Sequence, residues 1–304
     1  GILRKWRRLN SVTKIAMAPP SPHPGRFGIA VVAIVKDEAR HIAEWVGFHR
    51  QAGVRRFIIY DNGSTDDTVA VARSAAPPEQ ITIVPWRQSL KDMRLGRALH
   101  NQVLAYAHAA SNFGGDFRWM TFIDVDEFLV PTQANSISAA IAHLEHCRNV
   151  SFPWRMFGTS GHKVPPEGGI LRNYLRCASA SAHDQPALCN FKCMIDPCHL
   201  TAVRVHSMET DGSDQTCNDR GETVRNCDRR DRKFYSADHL QLNHYYTRSE
   251  AEVAEKIRRG HMNGDDRRYL RKVRHVMECI DQETVEDRTV LAFLDRVGVG
   301  APAA

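Results

Sequence analysis

Three clusters of polar residues each follow a short apolar run: Lys36-Asp37-Glu38 after Ile29 to Val35, Asp61-Asn62-Gly63-Ser64 after Phe57 to Tyr60, and Asp124-Val125-Asp126-Glu127 after Trp119 to Ile123. In Asp124-Val125-Asp126 a strand-like alternation puts both carboxylates on one face, able to bind a hard divalent cation through oxygen and, through it, a diphosphate. Three carboxylates directly after an apolar strand repel one another unless a cation sits among them, which favours that reading. Asp61 can accept hydrogen bonds from a base or ribose, and Gly63 lets the backbone come close to a ligand, although a plain turn with a helix cap accounts for that cluster equally well. Lys192 and Arg97 could neutralise phosphate, but a basic residue in a positively charged protein is most often merely solvated.

Position gives these clusters their meaning. Ile29 to Val35 is continuously apolar and rich in β-branched residues, as a strand covered on both faces should be. Ile42, Trp45, Val46 and His49 then recur at helical spacing, with Gly53 where a C-cap is wanted. Phe57 to Tyr60, Ile81 to Val84 and Trp119 to Ile123 read as further strands. A short helix to about Ser74 follows the second, and a helix carrying Leu95, Leu99, Val103 and Tyr106 precedes the fourth. Strands alternating with helices imply an α/β fold with a parallel, doubly wound sheet, whose ligand crevice lies outside the carboxyl ends of the strands. Ile137 to Cys147 is expected to be a helix, Val150 to Trp154 an edge strand, and residues 172 to 240 irregular. Capped helices near Ser249 to Gly260 and Arg267 to Ile280 close the chain, packed on the core or against a partner, which leaves a dimer open.

The 304 residues suffice for one large domain or two small ones, and 41 Lys and Arg against 35 Asp and Glu give +6, suited to polyanionic ligands but short of a nucleic-acid-binding signature. Gly1 to Ala18, with Arg4, Lys5, Arg7, Arg8 and Lys14 among apolar residues, reads either as a basic amphipathic helix on an anionic bilayer or as a frayed tail. Pro19 to Gly25 reads as a linker. With no apolar run long enough to span a bilayer and no cleavage-site pattern, neither secretion nor a membrane span is expected, and a cytoplasmic location follows. Cys189, Cys193, Cys198 and His199 lack the paired spacing of a zinc knuckle, so buried free thiols are the expectation for a cytosolic protein. The expected organisation is a tail and linker over 1–27, a main domain over 28–260 and a helical extension over 261–304.

Taken together, Val35-Lys36-Asp37-Glu38-Ala39-Arg40-His41-Ile42-Ala43-Glu44-Trp45, Tyr60-Asp61-Asn62-Gly63-Ser64-Thr65-Asp66 and Phe122-Ile123-Asp124-Val125-Asp126-Glu127-Phe128 resemble the glycosyltransferase-2-like group with the GT-A fold, closest to its branch related to family 92. Trp154 to Gly161, Phe191-Lys192-Cys193, Val205-His206 and Asn243-His244-Tyr245-Tyr246 continue the resemblance, which runs from about residue 29 to residue 260. It implies a doubly wound, mixed GT-A sheet and a nucleotide-sugar donor. Lys36, Glu38, Asp61, Gly63, Arg97, Gln102, Asp124 and Lys192 fall on the donor side, with Asp61 at the base, most often uracil. Asp126, helped by Asp124, would hold Mn²⁺ or Mg²⁺, and His206 or His244 would complete the metal shell. Of the two, His244 is favoured because two tyrosines that could stack on sugar follow it. Trp154, Phe157 and Gly158 would line the acceptor side, where aromatic rings stack on sugars, although ordinary core packing explains them as well.

The chemistry implied is loss of a nucleoside diphosphate from the anomeric carbon, with metal and basic groups stabilising the leaving charge and a carboxylate deprotonating a glycan or glycolipid hydroxyl. The family looks inverting, and family habit points to bacterial surface polysaccharide. The Glu-Asp pair that supplies the base in many family-2 enzymes is not evident, which leaves Asp184, Glu209 and Asp211 as candidates. A nucleotidyltransferase would carry a basic, Gly-rich loop where Lys36-Asp37-Glu38 stands. A non-catalytic module binding sugar or polyanion is the remaining alternative.

Overall fold

The computed structural model describes residues 11–179, 185–259 and 266–298. Its centre is a ten-stranded mixed sheet. Strand β1 (Ile29–Val35) pairs in parallel with β2 (Arg56–Asp61) on one side and β4 (Trp119–Phe122) on the other, and β2 pairs in parallel with β3 (Ile81–Pro85). The order β3-β2-β1-β4 is the nucleotide-binding half of a doubly wound fold. The uninterrupted apolar run of β1 has its reason here. Ile29, Val31, Ala33 and Val35 enter one buried cluster, while Ala30 and Val32 enter another with Tyr60, Tyr106 and Phe122.

Beyond β4 the sheet becomes mixed, which makes the architecture GT-A-type. Strand β7 (Phe191–Ile195) runs antiparallel to β4, and β6 (Asn149–Met156) antiparallel to β7. On its other side β6 pairs with β8 (Gln215–Cys217) at Val150 and then with β10 (Leu240–His244) from Trp154 to Met156. Strand β8 in turn pairs with β9 (Thr223–Arg225), and β10 pairs antiparallel with β5 (Glu127–Pro131). The expected edge strand is therefore interior. Pro153 sits where β6 changes partner from β8 to β10, a break at which its missing N–H costs no ladder bond.

Helix α1 (Ile42–Gln51) buries Ile42, Trp45, Val46, Phe48 and His49, and Gly53 ends it at φ +90°, as its place in the sequence implies. Helix α2 is Thr68–Ser74. Helix α3 begins only at Asn101 and runs to Phe113, so Leu95 and Leu99 are not on it. Lys91–Asp92 and Arg97–Leu99 form a hairpin instead, broken from any helix by Gly96 at φ +63°, and Ser11–Val12 pairs with its second strand. Between 137 and 147 only Ile137–Ala140 is α-helical, and the described residues between 172 and 239 include six short strands rather than irregular chain.

Both ends of the described chain return to this body. Ser11–Val12 and Ile15–Ala16 are strands, which excludes a helix there, while residues 1–10 of the expected amphipathic segment lie outside the described residues. The Pro-rich stretch is packed: a Cβ on Gly114 would stand 2.7 Å from Pro197 and 3.2 Å from Pro20. Next to it, Arg26 makes a two-pronged contact of 2.6 and 2.9 Å with the buried Asp196. Helix α4 is Glu250–Arg259 and α5 is Asp266–Asp281, with Val276, Cys279 and Ile280 packed on Met156, Ala178 and Leu188. Thr284–Glu286 pairs with Arg176–Ala178, and α6 (Thr289–Arg296) closes the core. Cys147 and Cys217 form a disulfide, against the expectation of free thiols throughout; Cys189 and Cys193 are buried and take no part in it. Among the described residues Cys189, Cys193, Cys198 and His199 do not converge as metal ligands, and no helix is long and apolar enough to cross a membrane.

Candidate functional site

At the carboxyl ends of β1 and β4 lies a cleft of about 290 Å³, lined among others by Lys36, Gln102, Asp124, Asp126, Trp154 and His244. It shares Lys36, Glu38, Asp126, Tyr246 and Lys256 with a larger outer cleft of about 800 Å³, walled by the loop after β1 and by α4.

The loops after β1 and β2 brace each other. Asp37 N–H donates to Ser64 Oγ (3.1 Å), Glu38 N–H to Thr68 Oγ1 (2.7 Å) and Ala39 N–H to Asp66 Oδ2 (3.1 Å), while Thr65 N–H donates to Asp37 Oδ1 (2.7 Å). Much of the Asp61-to-Asp66 motif therefore holds the crevice rigid. Asp61 itself accepts from Ser64 N–H at 3.1 Å. Gly63, at φ +74°, has Arg87 Cδ 3.1 Å from where a Cβ would stand, so a side chain there would push Arg87 off the turn.

The acidic cluster is a turn rather than a continued strand: Glu127 N–H donates to Asp124 C=O at 3.0 Å, and the three carboxylates separate. Asp124 accepts from Gln102 Nε2 and from Lys192 Nζ, each at 2.9 Å. Glu127 is fully buried, accepts from Trp154 Nε1 at 2.7 Å and lies 3.5 Å from the Lys192 ammonium. Burial pushes Glu127 up to about 8 despite Lys192, with the charges of Asp124 and Asp126 adding to the rise. Burial works against the Lys192 charge too, but Asp124 and Glu127 outweigh it and hold that ammonium protonated well above the ordinary range. The mutual repulsion that pointed to a metal is thus relieved in part by a cation the chain supplies itself.

Asp126 faces the other way. Its Oδ2 is 3.5 Å from His244 Nε2 and 3.9 Å from Lys256 Nζ. Burial alone would raise the Asp126 carboxyl, yet His244, Lys256 and Arg248 hold it far below the usual range. His206 also lines the cleft, but its Nδ1 is 3.0 Å from Phe191 C=O, burial lowers it to about 3, and the Trp154 ring packs against both histidines. His244 is the histidine that meets Asp126. An Asp126 carboxylate oxygen and a His244 imidazole nitrogen facing each other across the cleft floor offer two ligand atoms that could hold a divalent cation, while Asp124, over a third exposed, is turned to Lys192 and does not gather with them as a third.

Several candidates stand elsewhere. Arg97 is on the hairpin before α3 and does not line either cleft. Glu209 is paired with Lys14 at 2.5 Å and Asp211 with His199 at 2.8 Å, both off the cleft, and Asp184 lies outside the described residues. Phe157 is buried against Tyr245 with ring centroids 4.7 Å apart, and a Cβ on Gly158 would meet Ile280 at 3.1 Å, so both belong to the core and only Trp154 of that trio reaches the cleft. Tyr246, one of the two tyrosines expected beside His244, lines both clefts, and Lys256 and Arg248 line the clefts without having been singled out. Lys256 donates to Tyr246 C=O at 3.0 Å, and Arg248 binds Glu38 at 3.0 Å. The capped helix at Ser249 was the only signal for them.

The model for glycosyltransferase family 92 matches residues 27–282. The chain belongs to that family. Family 92 proteins of Ricinus communis and of Oryza sativa are 31% and 26% identical over 165 and 202 residues, which is 50% and 60% of this chain but only 28% and 31% of theirs. The chain thus spans less than a third of the length of these relatives. Among solved structures, S. aureus TarS in complex with UDP is similar at a TM-score of 0.29 and 14% identity, covering 46% of this chain and 38% of that one. Glucosyl-3-phosphoglycerate synthase from Mycobacterium tuberculosis, in complex with Mn²⁺, UDP and glucosyl-3-phosphoglycerate, is similar at 0.29 and 22%, covering 43% and 45%.

Proposed function

We propose that this family 92 domain transfers a sugar from a UDP-sugar donor to a hydroxyl of a glycan or glycolipid, with inversion, using a divalent metal. The observation that carries this reading is the convergence of Asp126, His244 and Lys256 with Asp124 and Gln102 in one cleft at the carboxyl ends of β1 and β4. Asp61 and the braced loop after β1 would receive the nucleoside. Asp126 and His244, with Asp124, would hold Mn²⁺ or Mg²⁺, which supplies positive charge to the departing diphosphate. Lys256, 3.9 Å from Asp126, offers a second cation on the same side that a phosphate oxygen could reach. Trp154, held by Glu127, would offer its ring to the sugar. Glu38 and Glu255 line the outer cleft, where an acceptor hydroxyl would approach, and we assign the base to one of that pair, since Glu209 and Asp211 stand off the cleft. The relatives compared are plant proteins, so bacterial surface polysaccharide is only one acceptor of the class.

Isothermal titration with nucleoside diphosphates, with and without Mn²⁺, tests the reading. UDP should bind in the presence of Mn²⁺, and Asp126→Ala should weaken that binding by about tenfold or more, as loss of a charged ligand contact implies. Failure of every nucleoside diphosphate to bind, with or without metal, would refute it.

A further inference from the structure

The hairpin that leads into α3 is used by neither cleft, and its surface has an unusual make-up. Six large apolar side chains are exposed among the described residues, and three of them, Leu90 (53%), Met93 (95%) and Leu95 (55%), fall within six positions of this hairpin, Met93 and Leu95 at its tip. Between and beside them stand Arg87, Lys91, Arg94 and Arg97, for which no ion-pair partner occurs among the described residues. Asp92 is the only acid from Trp86 to Leu99, and its side chain is spent on the turn, accepting from Leu95 N–H at 2.6 Å.

This tip is held in place. Gly96 N–H donates to Asp92 C=O at 2.8 Å and Leu99 N–H to Leu90 C=O at 2.8 Å. At the base, Trp86 Nε1 donates to Asn101 C=O at 3.2 Å and Gln88 Nε2 to Asn101 Oδ1, which ties the hairpin to the first residue of α3. Ser11–Val12 pairs with Ala98–Leu99, and the chain just before Ser11 carries Arg4, Lys5, Arg7 and Arg8.

We propose that the hairpin from Trp86 to Leu99 docks this protein on a bilayer containing anionic lipids, Met93 and its neighbours entering the acyl boundary while the four cations meet headgroup phosphates. A soluble polyanion would be bound by the cations alone and gives no reason for a nearly fully exposed Met93 at the apex. Apolar residues interleaved with unpaired cations match an interface that is apolar below and negative above. The hairpin's Arg87 lies over Gly63, and its base joins the helix whose Gln102 holds Asp124, so docking would set the donor side of the cleft beside the membrane surface. The inference rests on exposure and charge and stands apart from the transferase reading.

The test is sedimentation of the full chain with vesicles of phosphatidylcholine alone or with about one third phosphatidylglycerol, a content that gives a strongly negative surface. Binding is expected only to the anionic vesicles. Arg94→Glu with Arg97→Glu should lower the partition coefficient about tenfold or more, since each basic residue near such a surface contributes severalfold. Met93→Ser with Leu95→Ser should lower it by a similar factor, through lost apolar insertion. Met93, Arg94 and Leu95 are exposed and Arg97 is half-buried, and an unchanged thermal midpoint shows that the variants stay folded. Binding lost in the charge variant but untouched in the serine variant would mean a purely electrostatic, polyanion-type contact and overturn the proposal. So would equal binding by both variants and the parent, which would move the contact to residues 1–10, or no binding to either vesicle.

Discussion

His49 shows how one buried side chain fixes the wall behind the site. Its Nδ1–H donates to Trp45 C=O at 2.8 Å, its Nε2 accepts from Leu129 N–H at 3.3 Å, and its ring stacks on Phe128 beside the Asp124-to-Glu127 turn. Only the neutral tautomer satisfies both contacts, because a proton on Nε2 would face the Leu129 N–H. Burial accordingly lowers His49 from 6.5 to about 4. The folded chain therefore binds fewer protons than the unfolded one between these values. The stabilisation is complete above about pH 6.5 and is lost as pH falls through about 4. Between pH 7 and pH 5 the loss should be on the order of 2 kcal/mol, read as a fall in the urea midpoint. His49→Gln should flatten that dependence, and an undiminished fall in the variant would remove His49 as its source. At this scale the sequence told which residues gather at the strand ends, since the period of the apolar runs places them there. It did not tell that Lys192 sits among the carboxylates, because that contact joins positions 68 apart with no local pattern to announce it.

Among the elements, α4 decides how the cleft is closed, since it carries Glu252, Glu255 and Lys256 into the wall. Its start is a reciprocal cap: Ser249 Oγ accepts from Glu252 N–H at 3.3 Å, and Glu252 Oε2 receives both Ser249 N–H (3.0 Å) and Ser249 Oγ–H (2.6 Å). The other oxygen of Glu252 is 2.6 Å from His41 Nε2 on the loop before α1, so the cap also pins the helix to the rim. Ser249→Ala should cost about 1 kcal/mol of stability by urea unfolding, as loss of such a cap typically does. Because the lost bonds position Lys256, the same variant should lower kcat more than it raises KM for the donor; the reverse would place the helix in binding alone. The Ser-x-x-Glu signature made this helix legible from sequence. The hairpin before α3 was not, because Leu95, Leu99 and Val103 repeat every four residues as a helix would. Gly96 in the left-handed region and the Asp92 turn override that spacing.

On the scale of the whole molecule, the nucleotide-binding half was readable because each of its strands is a local apolar run followed by turn residues. The second half was not, since β5, β6, β7 and β10 find partners far along the chain and β6 carries a proline. The same nonlocality governs the C-terminal stretch. Residues 261–304 were expected to be an extension, yet Thr284–Glu286 pairs with Arg176–Ala178, and Asp287 accepts from Gln241 Nε2 at 3.1 Å and lies 3.3 Å from Arg155. Helix α6 then buries Val290, Phe293 and Leu294, with Phe293 5.4 Å from Phe48 of α1, and Arg296 donates to Pro131 C=O at 2.9 Å. Three such side chains are worth about 2 kcal/mol each, comparable with the lower part of the range of about 5–15 kcal/mol that holds a domain folded. A chain ending at Gln282 should therefore lose its cooperative thermal transition and bind a hydrophobic dye at room temperature. If it instead unfolds cooperatively within a few degrees of the full chain, α6 is an appendage and the core closes without it. No residue of α6 lines either cleft, so loss of α6 should abolish UDP binding through unfolding. Asp126→Ala should abolish it in a chain whose midpoint has not moved.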